Sequence, residues 1–295
     1  MNLFVTIRNW AEMIKISHTV FALPFALSSM VIAARETHGW PGWRLFSLIV
    51  LAMFFARTCA MTFNRIVDRR FDRENPRTKD RHLVTGKISL GAASLLCGLS
   101  ALAFVIVCWF INSVCFYLSP IALLVVCFYS YTKRFTDYTH VFLGVALGLS
   151  PLGAWLAVRG TLHLAPIVLA IAVVFWLIGF DIIYATQDHE FDRAHGLHSL
   201  VVGWGLRNAL QAAFISHFIM WLLLGSFGLI LGFRIAYFGG LIVMGVCLLM
   251  EHWLARKRSL KWINFAFFRL NALISMIFLV VTIVEVVFPM FRIRA

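Results

Sequence analysis

The sequence predicts an all-α polytopic membrane protein, with about nine transmembrane helices in one bundle and a single domain over residues 1–295. Three observations carry this. Hydrophobic residues make up 61% of the chain and charged residues only 13%, too little polar surface to coat a soluble exterior. The apolar runs are long and continuous, unlike the short alternating segments of a membrane barrel. The polar residues are concentrated in a few stretches between those runs.

The expected spans are 18–34, 44–63, 88–110, 114–131, 138–158, 165–186, 206–231, 234–250 and 269–289, with ends set to within about four residues. The start of the chain has no basic leader, short apolar stretch and small-residue cleavage site in sequence, so no removable signal peptide is expected. Charge bias gives the orientation. With the N-terminus inside, the inner loops receive Arg8, Lys15, the basic 65–87 stretch, Lys133, Arg134, Arg193, Arg207, Arg256, Lys257, Arg258, Lys261 and Arg269. Only Arg35, Arg44, Arg159, Arg234, Arg292 and Arg294 remain outside, which predicts N-in and C-out. The net charge of +13 then reflects cytoplasmic loops facing anionic lipid; no nucleic-acid module is indicated, because the basic residues lie beside spans. The six cysteines fall within apolar runs without CxxC spacing and read as small buried hydrophobes, neither a disulfide framework nor a zinc site.

Two polar stretches stand out, Asn64 to Arg81 (NRIVDRRFDRENPRTKDR) and Asp181 to Ser199 (DIIYATQDHEFDRAHGLHS). In the first, Asn64, Asp68 and Asp72 are spaced i, i+4, i+8; in the second, Asp181, Tyr184, Asp188 and Asp192 are spaced i, i+3, i+7, i+11. Where a helix continues through each motif, these side chains form one polar stripe. Both stripes fall at the predicted cytoplasmic end of a span, where the helix dipole is negative and clustered carboxylates call for a cation. Mg2+ suits them, being hard and bound by a few carboxylates together with phosphate oxygens. The plainer reading pairs Asp68 and Asp72 with Arg65, Arg69, Arg70 and Arg73; two copies on one face of the membrane favour a metal clamp on a phosphorylated lipid. A weak internal repeat accompanies them, with Asn64 and Tyr184 at matching places.

Between the motifs, Tyr129 and Lys133 are four apart in YSYTKR, a phenol and an ammonium suited to a leaving diphosphate or, the commoner meaning of these residues there, to anchoring a span end. Arg77, Lys79 and Arg81 read as phosphate contacts or as a solvated loop after the helix-breaking Pro76. Arg57 lies inside the second span, where it is costly unless it holds a substrate carboxylate or a motif aspartate. His18, His195 and His198 lack a third partner at zinc spacing. The 28 phenylalanines read mostly as lipid-facing or packing residues, with some free to line an isoprenoid tunnel. No catalytic triad, P-loop or dinucleotide fingerprint appears in a supporting context.

These motifs resemble those of the UbiA superfamily of intramembrane prenyltransferases. Asn64-xxx-Asp68-xxx-Asp72 is similar to its NxxxDxxxD, Asp181-xx-Tyr184-xxx-Asp188-xxx-Asp192 to its DxxYxxxDxxxD, and Tyr129-xxx-Lys133-Arg134 to its shorter third signature. Within the family, NPRTKDR and YSYTKRFT look most like the 4-hydroxybenzoate polyprenyltransferase branch, and EMIKISHTVFALPFAL resembles a subgroup tied to futalosine-derived menaquinone, with a dihydroxynaphthoate acceptor. The resemblance implies that Asn64, Asp68, Asp72, Asp188 and Asp192 hold Mg2+ on a polyprenyl diphosphate, with Asp181 and Tyr184 among the substrate-binding residues. It implies that Lys133, Tyr129, Arg77 and Arg81 stabilise the departing diphosphate. The allylic cation then joins a ring carbon of an aromatic acid, behind apolar walls that exclude water. Asp181 and Asp188 are the candidate bases; Arg57 and Lys15 are the candidates for the acceptor carboxylate. The expected setting is the bacterial cytoplasmic membrane, with the site toward the cytoplasm. The rivals are a family member with a haem- or chlorophyll-type acceptor and a transporter that uses the aspartates as an ion path. A non-catalytic lipid-binding scaffold has no reason to carry two metal-spaced pairs.

Overall fold

The computed structural model describes residues 3–15, 19–256 and 260–288. His18, Lys257, Arg258, Arg292 and Arg294, which entered the charge and metal arguments above, lie outside the described residues. The chain is all-α, with no strand among the described residues. In order the helices are α1 (Leu3–Met13), α2 (Thr19–Ala33), α3 (Trp43–Val67), α4 (Arg69–Glu74), α5 (Leu90–Ile111), α6 (Ser113–Thr132) and α7 (Thr139–Arg159). They continue as α8 (Leu164–Ala185), α9 (His189–Ala194), α10 (Leu200–Ile230), α11 (Ile235–Ala255), α12 (Leu260–Phe265) and α13 (Asn271–Val287). Eight helical stretches among the described residues are long and apolar enough to cross a membrane, so this is an integral membrane protein. The expected first span corresponds to α2, described from Thr19 to Ala33. The span expected to start at 206 is α10, which begins earlier at Leu200 and bends at Gly205, where φ is 75° and ψ is 159°. Glycine adopts that backbone without a Cβ penalty, and the apolar run resumes beyond Arg207 and Asn208.

The contacts gather into two compact units, Met1–Thr19 with Ser47–Tyr131 and Val20–Phe46 with Thr132–Ala295. In the first, Met13 and Ile14 at the end of α1 pack with Leu83, Ile88 and Ala93, and Trp10, Met61, Ile66 and Leu96 lie against them. This apolar knot holds the loop after α4 against the ends of α3 and α5. Ser89 caps α5, its side chain accepting from the Ala92 amide at 3.2 Å. All six cysteines are free thiols, and Cys59 Sγ lies 3.8 Å from Cys97 Sγ.

In the second unit α8 is the most buried span, packed against α7 and α10. Gly144 and Gly148 permit the approach of α7: a Cβ at either would meet the Val174 or Ala170 carbonyl oxygen of α8, at 2.9 and 3.0 Å. In a lipid setting such small-residue faces let helices approach closely enough for van der Waals packing. Trp176, fully buried, lies among Phe21, Phe25 and Phe180 and donates its indole N–H to Asn271 Oδ1 at 2.8 Å. Asn271 in turn donates to Glu251 Oε1 at 2.9 Å. His217 Nε2 donates to the Trp176 carbonyl at 3.1 Å, and its Nδ1 pairs with His252 Nε2 at 2.9 Å. These polar links tie α8, α10, α11 and α13 together inside an apolar interior. Ser199 caps α10 as Ser89 caps α5, accepting from the Val202 amide at 3.2 Å.

Candidate active site

The first acidic motif sits where α3 runs out. The helical ladder continues past the end of α3: the Asp68 amide donates to the Asn64 carbonyl at 2.9 Å and the Asp72 amide to the Asp68 carbonyl at 2.8 Å. The spacing i, i+4, i+8 therefore does put Asn64, Asp68 and Asp72 on one stripe. Asn64 Nδ2 donates to Asp68 Oδ2 at 2.8 Å and reaches Ser130 Oγ of α6 at 3.5 Å; its Oδ1 accepts from Arg65 Nη1 at 3.0 Å. Helix α4 stops at Glu74, and Asn75 is extended (ψ 120°) ahead of Pro76.

The loop after Pro76 folds back onto the motif. Arg81 Nη1 lies 2.6 Å from both oxygens of Asp72, and Thr78 Oγ1 donates to the Asp72 carbonyl at 3.1 Å. Asp72 is buried, so it needs such a charge-assisted partner. Arg65 is also buried, within the electrostatic reach of Asp68, Asp72, Arg81 and Tyr129. Tyr129 has Arg65, Asp68 and Arg57 as its charged neighbours. Arg57 itself donates from Nη2 to the Lys15 carbonyl at 3.2 Å, and its Nε is buried without a hydrogen-bond partner among the described residues. Lys15, left-handed at φ 51°, is held below the usual ammonium range by desolvation first and then by Arg65, Arg81 and Arg77. Cations gathered in this way make an anion-binding environment.

The second motif sits where α8 runs out. A 3₁₀ turn, Thr186–Asp188, joins α8 to α9, so the chain stays helical through the motif while tightening at its centre. Asp188 and Asp192 are buried, whereas Asp181 and Tyr184 are half-buried. Lys133 Nζ lies 3.5 Å from Asp192 Oδ2. The Lys133 carbonyl accepts from the His198 amide at 2.7 Å, and His198 Nδ1 is 2.9 Å from Asp137 Oδ1, which pins the segment carrying Lys133 to the loop after α9. His195 stacks on Phe191 with ring centroids 3.9 Å apart. Asp181 Oδ2 lies 2.6 Å from His140 Nδ1 of α7.

The structure thus groups Asn64, Asp68, Asp72, Arg81 and Tyr129 in the first unit and joins Arg57 to Lys15 there. The Arg77 amide donates to Asn75 Oδ1 at 2.8 Å in the same loop. In the second unit Lys133 joins Asp192, Asp181 and Tyr184 lie at the end of α8, and Asp188 lies on the 3₁₀ turn that follows. Sequence reasoning did not single out Arg65 or His140. Arg65 counted there only as a neutralising neighbour of the aspartates; its position one residue after Asn64, on the last turn of a span, was the available signal. Among the described residues no three histidine, cysteine, aspartate or glutamate side chains form a ready metal cage. Paired carboxylates with an adjacent amide fit Mg2+, which takes one or two carboxylates and completes its shell with water and phosphate oxygens.

Apolar spans ending in acidic stripes flanked by cations define an integral membrane protein whose polar chemistry sits at helix ends. Residues 22–273 match the UbiA prenyltransferase family, and the chain belongs to that family. A 4-hydroxybenzoate octaprenyltransferase of Janthinobacterium sp. (strain Marseille) is 32% identical over 226 residues, covering 75% of this chain and 78% of that relative. Among solved structures, the apo form of a UbiA homologue from Aeropyrum pernix K1 superposes with a TM-score of 0.82 at 28% identity, covering 91% of this chain and 98% of that one. A UbiA homologue from Archaeoglobus fulgidus bound to GPP and Mg2+ shares the fold, with a TM-score of 0.71 at 22% identity over 93% of this chain and 99% of its own.

Proposed function

We propose that this chain is an Mg2+-dependent aromatic polyprenyltransferase of respiratory quinone synthesis. It transfers a polyprenyl group from polyprenyl diphosphate to an aromatic carboxylic acid, 4-hydroxybenzoate or a dihydroxynaphthoate. The observation that carries this reading is the pair of acidic stripes, Asn64–Asp68–Asp72 and Asp188–Asp192, each at the end of an apolar helix and each beside a cation. The names of the curated relatives favour 4-hydroxybenzoate, and the N-terminal likeness noted above favours the naphthoate.

In this reading Asn64, Asp68, Asp72, Asp188 and Asp192 hold Mg2+. When bound, Mg2+ offsets the negative charge that grows on the departing diphosphate. Arg77, Arg81, Lys133 and the Tyr129 hydroxyl would stabilise the diphosphate as the allylic C–O bond breaks. Arg65, which sequence reasoning passed over, adds a buried positive charge beside Asp68 and Asp72. Tyr184 and Asp181 face the substrates from α8, and Arg57 and Lys15 supply cations for the acceptor carboxylate. Apolar side chains along the spans keep water from the carbocation. The single-domain chain lies in a bacterial cytoplasmic membrane, N-terminus in and C-terminus out, with both motifs on the cytoplasmic side, as the distribution of Lys and Arg supports.

The test uses purified protein in lipid vesicles with labelled polyprenyl diphosphate and Mg2+. Parallel reactions receive 4-hydroxybenzoate or 1,4-dihydroxy-6-naphthoate, each with an EDTA control. A prenylated product from one acceptor, abolished by EDTA, supports the reading and selects the pathway. Intact protein that prenylates neither acceptor overturns it.

A further inference from the structure

His140 sits in the first turn of α7 and is fully buried. Its Nδ1 lies 2.6 Å from Asp181 Oδ2, and its other ring nitrogen, Nε2, is buried with no hydrogen-bond partner among the described residues. An imidazole kept for packing alone would be replaced at lower cost by an apolar residue of similar volume. This ring has one polar anchor, and that anchor is Asp181. Asp181 is the counterpart: its side chain keeps 20% exposure, while its chain neighbours Phe180, Ile182 and Ile183 are at most 3% exposed. One side of the carboxylate is therefore fixed from inside the protein, and the other is open.

The fold secures that bond from below. Gly144 and Gly148, on the turns of α7 that follow His140, let α7 lie against the α8 backbone, so the position of His140 relative to Asp181 is set by helix packing. With Asp181 ionised, Nδ1–H is the donor, and this bond fixes both the tautomer and the direction of the carboxylate.

We propose that His140 is a positioning residue that aims the Asp181 carboxylate at the aromatic acceptor to take the proton released on prenylation. This rests on the preceding reading of the site and extends it to the question of the base. The C–O bond of the allylic diphosphate breaks, the electron pair leaving with the diphosphate, and a ring carbon forms the new C–C bond. The C–H bond at that carbon then breaks, its electron pair restores the aromatic ring, and the proton passes to Asp181 and from there to water. His140 acts through Asp181 and touches no substrate.

The test compares wild type, His140→Phe and His140→Gln in the vesicle assay, with acceptor either unlabelled or deuterated at the reacting ring position. Phenylalanine fills the space without a donor; glutamine restores an N–H without a titratable ring. The expected result for the Phe variant is a kcat about 10²-fold lower. Its KM for the diphosphate and its Mg2+ requirement stay unchanged, and it shows a primary isotope effect larger than that of wild type. The Gln variant recovers most of the lost kcat. An active wild type with an unaffected Phe variant overturns this inference alone. So does a Phe variant whose loss follows thermal instability, shows no isotope effect and is not rescued by Gln. A wild type inactive with both acceptors overturns the preceding reading and this inference with it.

Discussion

Arg81 closes on Asp72, with Nη1 2.6 Å from each carboxylate oxygen, and so ties the loop after Pro76 to the end of the first acidic stripe. The same two residues are candidate diphosphate and metal contacts. The Arg81–Asp72 pair therefore links loop folding to ligand binding.

Breaking that pair from the cationic side deprives a buried carboxylate of its hydrogen-bonded cation. Arg81→Met is expected to destabilise the protein by about 2–3 kcal/mol, less than for a fully buried pair because Arg81 keeps some solvent contact. Arg81→Met combined with Asp72→Asn is expected to regain most of the stability and none of the activity. Thermal unfolding in detergent, beside product formation in vesicles, checks both; a double variant no more stable than the single one would remove the pairing argument.

The second stripe is expected to be as necessary as the first. Asp188→Asn should lower turnover by at least about 10²-fold while the protein inserts normally, and the loss should persist at saturating Mg2+. Chelation of wild type should abolish transfer and Mg2+ addition restore it. Wild-type rates in Asp188→Asn would falsify the metal-clamp reading.

Packing between α7 and α8 leaves no room for a side chain at Gly144. Gly144→Ala places a Cβ 2.9 Å from the Val174 carbonyl oxygen, an atom that cannot rotate away. The expected cost is about 1–3 kcal/mol, read as a lower unfolding midpoint. An unchanged midpoint would mean that the helices separate there without penalty.

Glu251 separates charge from hydrogen bonding. It is fully buried, accepts from Asn271 through Oε1, and its Oε2 has no partner among the described residues. Glu251→Gln keeps an acceptor for Asn271 and is expected to be nearly neutral for stability. Glu251→Ala removes the acceptor of the Asn271 amide and should cost about 1–3 kcal/mol. The difference between the two unfolding midpoints is the measurement, and equal losses would sink the hydrogen-bond account.

Much of this was legible in the residues themselves. Long apolar runs set the span positions because the bilayer imposes length, and the i, i+4 spacing of the aspartates survives in the structure because the helical ladder runs on through Asp68 and the turn at Asp188. The early start of α10 was not legible, hidden by the change of direction at Gly205. Arg65 sits in a basic stretch, where a solvated charge is the ordinary expectation, and its burial depends on neighbours brought in by the loop after Pro76. His140 was hidden for the opposite reason. A lone histidine at the head of an apolar helix carries no spacing signal, and its partner lies on another helix. The Glu251–Asn271–Trp176 links likewise join residues far apart in the chain.

Ser89 and Ser199 each stand where the chain returns from an aspartate-bearing loop to a long apolar helix, α5 and α10. Each satisfies a first-turn amide with its own side chain, so that amide needs no acceptor from the loop upstream. The loop before each serine is thereby released from the task of starting a span. Its polar side chains, Arg81 among them, are left to meet ligands and one another. A single hydroxyl at each seam thus divides the labour between the apolar frame and its polar edge.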